Sequence, residues 1–542
     1  MNFPPLISNL AWAAASWPAH RRFLRALKQP AETQFALLRR AVACHTECRY
    51  GRQHAFSSVR NYEDFARCAP LVDYEDLDPW IECVRRGEDK VLTTDPVRRL
   101  VPTGGSSGPR KLIPFTAGVQ REFDLAIGPW ITDLFLQEPR LTDGPAYWSV
   151  TPAVPQARDE QSAVPIGFDD DSRYLGGVRQ RLVESVFAVP SALRLISNIE
   201  TFRYLTLLCL LRRRDLRLIS VWHPSFLTLL LESLPRTWDE LLNDIHAGRC
   251  KRCDDLPSPV QRALHFGPLP ARAKELHRAD PHRAESLWPA LRVISCWRDG
   301  HAEFAAHELQ RRFPNTLIQA KGLLATEAFV TVPFAGGHPV AICSHFFEFI
   351  DDMGDCRLVH QLREGDYYDM VVTTSGGLWR YRLRDRVQVT GFVAQTPSLR
   401  FLGKSNNISD RFGEKLSETF VAESIREITA ALPNPPGFAM LAAGEDECGW
   451  RYTLYLETTT PHDLAGPLDE ALRRNPHYAW CRELGQLLAP QVLVLADGDG
   501  YKSYVARELK HGRRLGEIKP SALSTRAGWS EWFPSARRHI HP

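Results

Sequence analysis

The sequence predicts an α/β protein with a large N-terminal part and a small C-terminal α/β unit, and three observations carry that expectation. Short β-branched runs bounded by turn residues ("LRVISCW", "FVTVPF", "MVVTTS", "RVQVTGF") alternate with segments of helical spacing such as Pro30 to Ala43 and Ala302 to Arg312. At 542 residues the chain exceeds one ordinary domain. Finally, "LPNPPG" (Leu432 to Gly437) must stop a helix that begins near Glu418. Beyond it the pattern predicts a strand around Tyr452 to Glu457, a helix from about Asp463 to Arg474, a strand at Gln491 to Leu495 and a helix near Tyr504 to Leu509. That is a unit of a size that folds alone.

Taken in order, "LISNLAWAAASW" near the N-terminus lacks a preceding basic segment and reads as an amphipathic first helix, not an export signal. The most apolar run, "YLTLLCLL" (Tyr204 to Leu211), meets three arginines after too few residues to cross a bilayer, so it predicts a buried helix. Arg212, Arg213 and Arg214 then read as a solvated helix end. Lys plus Arg (67) nearly cancels Asp plus Glu (64), leaving a formal charge of +3 and no global field toward nucleic acid or anionic membrane. The composition, 44% apolar and 24% charged, is that of a folded chain. Twelve cysteines without regular spacing suit free thiols in a cytoplasmic enzyme. Cys250 and Cys253 form a CxxC, but no second ligand pair or thioredoxin-like setting accompanies them, so they read as ordinary thiols.

"TGGSSGPRKLIPFT" (Thr103 to Thr116) is the stretch richest in chemistry. Glycines at 104, 105 and 108 let successive N–H groups converge into a concave nest for phosphate oxygens. Thr103, Ser106 and Ser107 add hydroxyls, and Lys111 adds a full charge. A Walker A loop would need GxxxxGK[ST] before a helix, and that spacing is absent. Here Lys111 to Phe115 reads as a strand, so the cradle is expected in a turn between strands. Alone, the same stretch also fits a plain Gly/Ser surface turn.

Thr103 to Lys111 resembles the phosphate loop of the adenylate-forming superfamily that includes firefly luciferase and acyl-CoA synthetases. Five further stretches resemble one branch, the auxin-responsive Gretchen Hagen family of acyl-acid amido synthetases with its bacterial members: "YGRQHAFSSVRNYEDFARCAPLVDYEDLDPWIE", "RYLTLLCLLRRRDLRLISVWHPSFLTLLL", "KGLLATEAFVTVP", "GLWRYRLRDRVQVTGF" and "RFLGKSNNISDRFGEKLSE". The similarity runs from about residue 35 to the C-terminus, in the family's order. It implies a large domain over 1–408 with a β-barrel-like part, and a small domain over 409–542 that moves between half-reactions.

The resemblance also implies site roles. Thr103, Gly105, Ser106, Ser107, Gly108 and Lys111 would hold ATP phosphates. Thr326 matches the threonine that meets the α-phosphate, and Glu327 the carboxylate expected to hold Mg²⁺; one protein carboxylate suffices, because such a cation keeps waters and substrate phosphates. Asp385 matches the acceptor of both ribose hydroxyls, a task a carboxylate performs side by side. Lys404 stands at the Gly-Arg motif, keeping the charge and losing the planar fork. Lys519, in "GRRLGEIKPSAL", matches the mobile lysine that reaches the α-phosphate. Period-two alternation would put Trp379, Tyr381, Leu383 and Asp385 on one face and Arg380, Arg382, Arg384 and Arg386 on the other, which equally describes a charged strand edge. The chain departs from the family pattern at Gly104, Arg384, Lys404 and Glu517. His223 and His301 are possible pocket residues, or hydrogen-bonded structural histidines.

The activity implied is adenylation of a carboxylic acid by ATP with Mg²⁺, then transfer of the acyl group to an amine such as an amino acid, by a monomer without nucleic-acid or membrane partners. Two rivals share the fold: a thioester-forming ligase that uses coenzyme A, and a catalytically silent binder of acids or nucleotide.

Overall fold

The structure, a computed structural model, describes residues 5–103, 111–149, 162–167, 185–253, 256–300, 302–405, 407–446, 448–459, 463–511, 513, 518–533 and 536–538. Helices Pro5–Ala26 and Pro30–Cys44 open the chain, as the amphipathic pattern predicts. They lead to a short antiparallel hairpin, β1 (Arg99–Pro102) and β2 (Leu112–Phe115). Thr116 then caps the Ala117–Gln137 helix, its hydroxyl accepting from Val119 N–H at 3.2 Å.

A four-stranded parallel sheet follows: β3 (Ala146–Trp148), β4 (Leu218–Ser220), β5 (Val293–Cys296) and β6 (Leu317–Ala320), ordered β3-β4-β5-β6. Every residue of β4 and β5 is buried, as expected of strands covered on both faces. One covering element is the Ile199–Leu211 helix, capped by Asn198 and apolar around nearly its whole circumference, which is why it is a buried helix. The arginines after it mark its end, but they are engaged and not simply solvated. Arg212 donates to Gly267 O at 2.6 Å, while Arg213 and Arg214 pair with Asp215 and Glu275, each at 2.7 Å.

Next come the five strands of an antiparallel sheet, β7 (Phe346–Ile350), β8 (Cys356–Leu358), β9 (Tyr367–Thr373), β10 (Tyr381–Val393) and β11 (Thr396–Lys404), ordered β11-β10-β9-β7-β8. "FVTVPF" was expected as a strand; only isolated bridges hold it, Leu324 to Phe329, Thr331 to Val340 and Phe334 to Gly337. Along β10 burial alternates as expected, with Tyr381, Leu383 and Asp385 inward. The expected arginine face needs correction. Arg380 lies before the strand, is buried and forks onto Glu348 at 2.8 Å, because its backbone turns through φ +48° and points the side chain inward. Arg384 and Arg386 are also engaged by acids, Arg384 by Asp73 and Arg386 by Asp352 and Asp369.

A short ribbon, β12 (Ile408–Ser409) with β13 (Leu416–Ser417), precedes the small C-terminal unit. There β14 (Phe438–Asp446), β15 (Gly449–Glu457), β16 (Gln491–Leu495), β17 (Leu523–Ser524) and β18 (Arg537–Arg538) form one sheet ordered β17-β14-β15-β16-β18. Two-residue alternation divides β14 between two cores. Ala439 and Leu441 pack toward Val421, Ile425 and Leu468, whereas Phe438 and Met440 pack toward Tyr504, Val505 and Trp529. Helices Glu418–Thr429 and Ala465–Arg473 lie where the pattern places them; the last expected helix is longer, Asp499–Lys510. Leu229 and Phe304 of the large part pack against the two small-unit cores, docking one unit on the other.

Candidate active site

The β1–β2 hairpin brings the two ends of the Gly/Ser stretch together. Pro102 faces Leu112 in the ladder, and Thr103 N–H donates to Lys111 O at 2.9 Å, so the stretch joins two antiparallel strands as expected. Gly105, Ser106, Ser107 and Gly108, with Gly104, lie outside the described residues. Lys111 Nζ donates to Tyr381 Oη at 3.4 Å and sits 5.4 Å from the Tyr74 ring centroid, while Tyr74 Oη accepts from Leu112 N–H at 2.8 Å. Burial, then the negative charges of Glu327 and Asp73, push the Tyr381 phenol far above its ordinary pKa, so it stays protonated.

Thr326 and Glu327 occupy the tip of a tight hairpin just past the C-terminal end of β6. Leu324 bridges Phe329, and Ala325 N–H donates to Ala328 O at 3.0 Å, leaving the two residues at the turn. Both are half-buried.

Asp385 and Lys404 are direct partners across β10 and β11. Lys404 Nζ lies 2.6 Å from Asp385 Oδ1 and donates to Leu383 O at 3.0 Å. Only 3% of the Asp385 side-chain surface is open, against 40% for Lys404, so the carboxylate is buried beneath a more open lysine. Burial disfavours the charge on Lys404, yet Asp385, then Glu327, outweigh it and hold the pKa above the ordinary lysine value. Lys519, an exposed residue of the small unit, faces the same groups. Its Nζ stands 4.3 Å from the Trp297 ring centroid, and Tyr504 Oη anchors its backbone carbonyl at 3.1 Å. Desolvation lowers the Lys519 pKa and Lys404 lowers it further, opposed by Asp385 and Glu327. Glu327, Asp385, Lys404 and Lys519 therefore share one electrostatic neighbourhood, and Tyr381 ties Lys111 to it.

Arg384, one of the departures from the family pattern, takes φ +59°, the left-handed region where glycine is most at ease. The strained backbone lets its guanidinium grip Asp73 with both nitrogens, at 2.8 and 2.6 Å. Burial would raise the Asp73 carboxyl, but Arg384, aided by Arg382 and Lys111, holds it below the usual range. The substitution thus anchors the start of the Tyr74–Arg85 helix to the strand that carries Asp385.

Sequence reasoning missed Trp297 and Tyr381 as members of the site. A signal existed: Trp148 ends β3, Trp222 follows β4, Trp297 follows β5 and Lys321 follows β6, so the parallel strands exit onto a row of three indoles and one ammonium. Lys321 Nζ lies 4.6 Å from the Trp222 ring centroid and 5.7 Å from that of Trp148. Strand C-termini are where open α/β sheets bind ligands. His223 is a buried helix cap that stacks on Tyr501 of the small unit, centroids 5.3 Å apart at 9°. His301 lies outside the described residues. Cys250 and Cys253 are partly buried and form no disulfide, and among the described residues no group of three His, Cys, Asp or Glu could hold a metal ion. Nor is any helix among them long and apolar enough to cross a membrane.

Comparison with known proteins identifies the family and the fold. The GH3 family N-terminal domain matches residues 19–318 and the GH3 family central domain residues 339–404. The probable indole-3-acetic acid-amido synthetase GH3.12 of Oryza sativa subsp. japonica is 25% identical over 457 residues, covering 73% of this chain and 72% of its own. The probable indole-3-acetic acid-amido synthetase GH3.1 of Arabidopsis thaliana is 24% identical, covering 81% and 76%. In fold, the AtGH3.15 acyl acid amido synthetase in complex with 2,4-DB superposes over 97% of each chain with TM-score 0.84 at 17% identity. A 2-hydroxyisobutyryl-CoA ligase in its postadenylation state follows at TM-score 0.50 and 11% identity, covering 92% of this chain and 91% of its own. With its N-terminal and central domains both matched across more than half its length, this chain belongs to the GH3 family.

Proposed function

We propose that this chain is an ATP-dependent acyl-acid amido synthetase, which converts a carboxylic acid to its acyl-adenylate with release of pyrophosphate and passes the acyl group to the amine of an amino acid. The observation that carries the reading is that Asp385, Lys404 and Glu327 of the large unit and Lys519 of the small unit, remote in sequence, act on one another electrostatically. Asp385 would accept the two ribose hydroxyls, with Lys404 fixing its orientation. Lys111 and the 103–108 stretch would cradle the β- and γ-phosphates, and Thr326 would meet the α-phosphate. Lys519 would neutralise charge that builds on the α-phosphate as the acid's carboxylate attacks and pyrophosphate departs. Such transfer asks chiefly for positioning and charge stabilisation.

The residues present fit a magnesium ion that keeps waters and phosphate oxygens: Glu327 offers one carboxylate at an accessible turn, and two ammonium groups nearby complete the neutralisation of a triphosphate. When bound, the ion would spread the charge of the phosphates. The indoles at the strand exits offer apolar walls for the acyl group. We place the hinge between Ser405 and Glu414, dividing the chain into 1–408 and 409–542; its turning would withdraw Lys519 so that the amine can approach. One chain supplies every group named, which suits a monomer, and twelve cysteines without a disulfide suit a cytoplasmic setting.

A panel of carboxylic acids offered with ATP, magnesium and mixed amino acids tests the reading. At least one acid should drive pyrophosphate exchange and give a product whose mass is acid plus amino acid minus water. A coenzyme A thioester in place of the amide would make the chain a thioester ligase, and silence across the panel would make it a binder.

A further inference from the structure

The hairpin that carries Thr326 and Glu327 is held from behind by side chains that none of the motifs contain. Phe329 N–H, at the base of the turn, donates to His345 Nε2 at 3.2 Å, and Phe329 O accepts from the Ser344 hydroxyl at 3.3 Å. An imidazole nitrogen that accepts a hydrogen bond carries no proton, so the neutral ring must hold its hydrogen on Nδ1. Nδ1 lies 3.1 Å from Glu122 Oε2, off the line of an ideal hydrogen bond, and the carboxylate stabilises that tautomer by its charge. Glu122 is itself fixed, accepting Ser375 N–H at 3.0 and 3.3 Å.

His345 has no freedom to turn away. Its side chain is fully buried, with Phe123 and Phe347 edge-on at 5.9 Å. Its backbone carbonyl accepts from the Gln34 amide at 2.8 Å, while the other end of that amide accepts from Phe347 N–H at 2.8 Å. A buried imidazole with both nitrogens assigned is a costly device for packing alone, since an apolar side chain would fill the space without a polar group to satisfy.

We propose that His345 is a positioning residue for adenylation: oriented by Glu122 as its Nδ1–H tautomer, it fixes Phe329 and so sets the Thr326–Glu327 tip against the phosphates and their divalent cation. The proposal rests on the reading of Glu327 as the cation's carboxylate. Support of a ligand from behind is worth about 10- to 100-fold in metal affinity. Removing the acceptor should loosen the cation more than it disturbs anything else.

The test measures Mn²⁺ binding by electron paramagnetic resonance in the presence of a non-hydrolysable ATP analogue, alongside acid-dependent pyrophosphate exchange. His345→Leu should weaken Mn²⁺ binding about 10-fold or more and raise the magnesium needed for exchange, with the KM for the acid unchanged. His345→Gln, whose amide oxygen can take the place of Nε2, should recover most of that loss. Glu122→Gln, at a partly open position, should fall between the two. Equal losses in His345→Leu and His345→Gln, or normal Mn²⁺ binding in His345→Leu and Glu122→Gln, would overturn the role of His345. Normal Mn²⁺ binding in Glu327→Gln would instead overturn the assignment of the cation to the tip, separating that failure from the first.

Discussion

Lys519→Ala should lower acid-dependent pyrophosphate exchange by about 100-fold or more, the scale of removing one preorganised charge donor from a transition state, while amide formation from supplied acyl-adenylate continues at close to the wild-type rate. The asymmetry follows from where the charge develops. In the first half-reaction the α-phosphate gains negative charge as pyrophosphate leaves, and the Lys519 ammonium lies over Trp297 and is influenced by Glu327 and Asp385. In the second half-reaction the adenylate is already formed and loses AMP, and the lysine has no bond to make. The wild-type enzyme carries its own control. Desolvation and the neighbouring Lys404 pull the Lys519 pKa down, so it sheds its proton at lower pH than an ordinary lysine. The alkaline fall of pyrophosphate exchange should therefore begin below the ordinary lysine range, and the amide-forming step should lack it. Equal loss of both half-reactions in Lys519→Ala would refute the division of labour.

The largest loss of stability is expected from Arg380→Met. Arg380 and Glu348 are buried, with 6% and 1% of their side-chain surfaces open. The guanidinium also donates to Ala66 O and Ala69 O at 3.0 and 2.9 Å, and Tyr62 Oη donates to Glu348 at 2.8 Å. These bonds join the Tyr62–Cys68 helix to the antiparallel sheet. Removing one partner leaves a buried carboxylate unpaired, which costs about 3–5 kcal/mol. Arg380→Met paired with Glu348→Leu should recover much of it, because an apolar pair has no charge to bury. Urea unfolding of the two variants makes the comparison; a double variant no more stable than the single would show that the pair is not the source.

How far the sequence could be read depended on the range of the interactions involved. The hairpin around the Gly/Ser stretch, the buried Ile199–Leu211 helix and the strand at Gln491–Leu495 were legible because each rests on local pattern: turn residues, an all-apolar stretch, or a run of β-branched side chains. "FVTVPF" misled for the same reason, since a short apolar run looks alike whether a ladder or scattered bridges hold it. Arg380 could not be foreseen as buried, because its partner Glu348 sits on another strand and only the fold brings them together. The inward direction of Asp385 was legible from β10 alternation, but its pairing with Lys404 depends on the register of β10 against β11. Trp297 offered a faint signal as one of three tryptophans closing strand-like runs. His345 offered none: its meaning lies in contacts to Phe329 and Glu122 that no spacing encodes.

The most direct measurement is a crystal structure of the protein with a non-hydrolysable ATP analogue and magnesium. It should show the ribose hydroxyls on Asp385, the α-phosphate between Thr326 and Lys519, and the cation on Glu327. A nucleotide seated away from these groups, or a cleft that takes up none, would contradict the account.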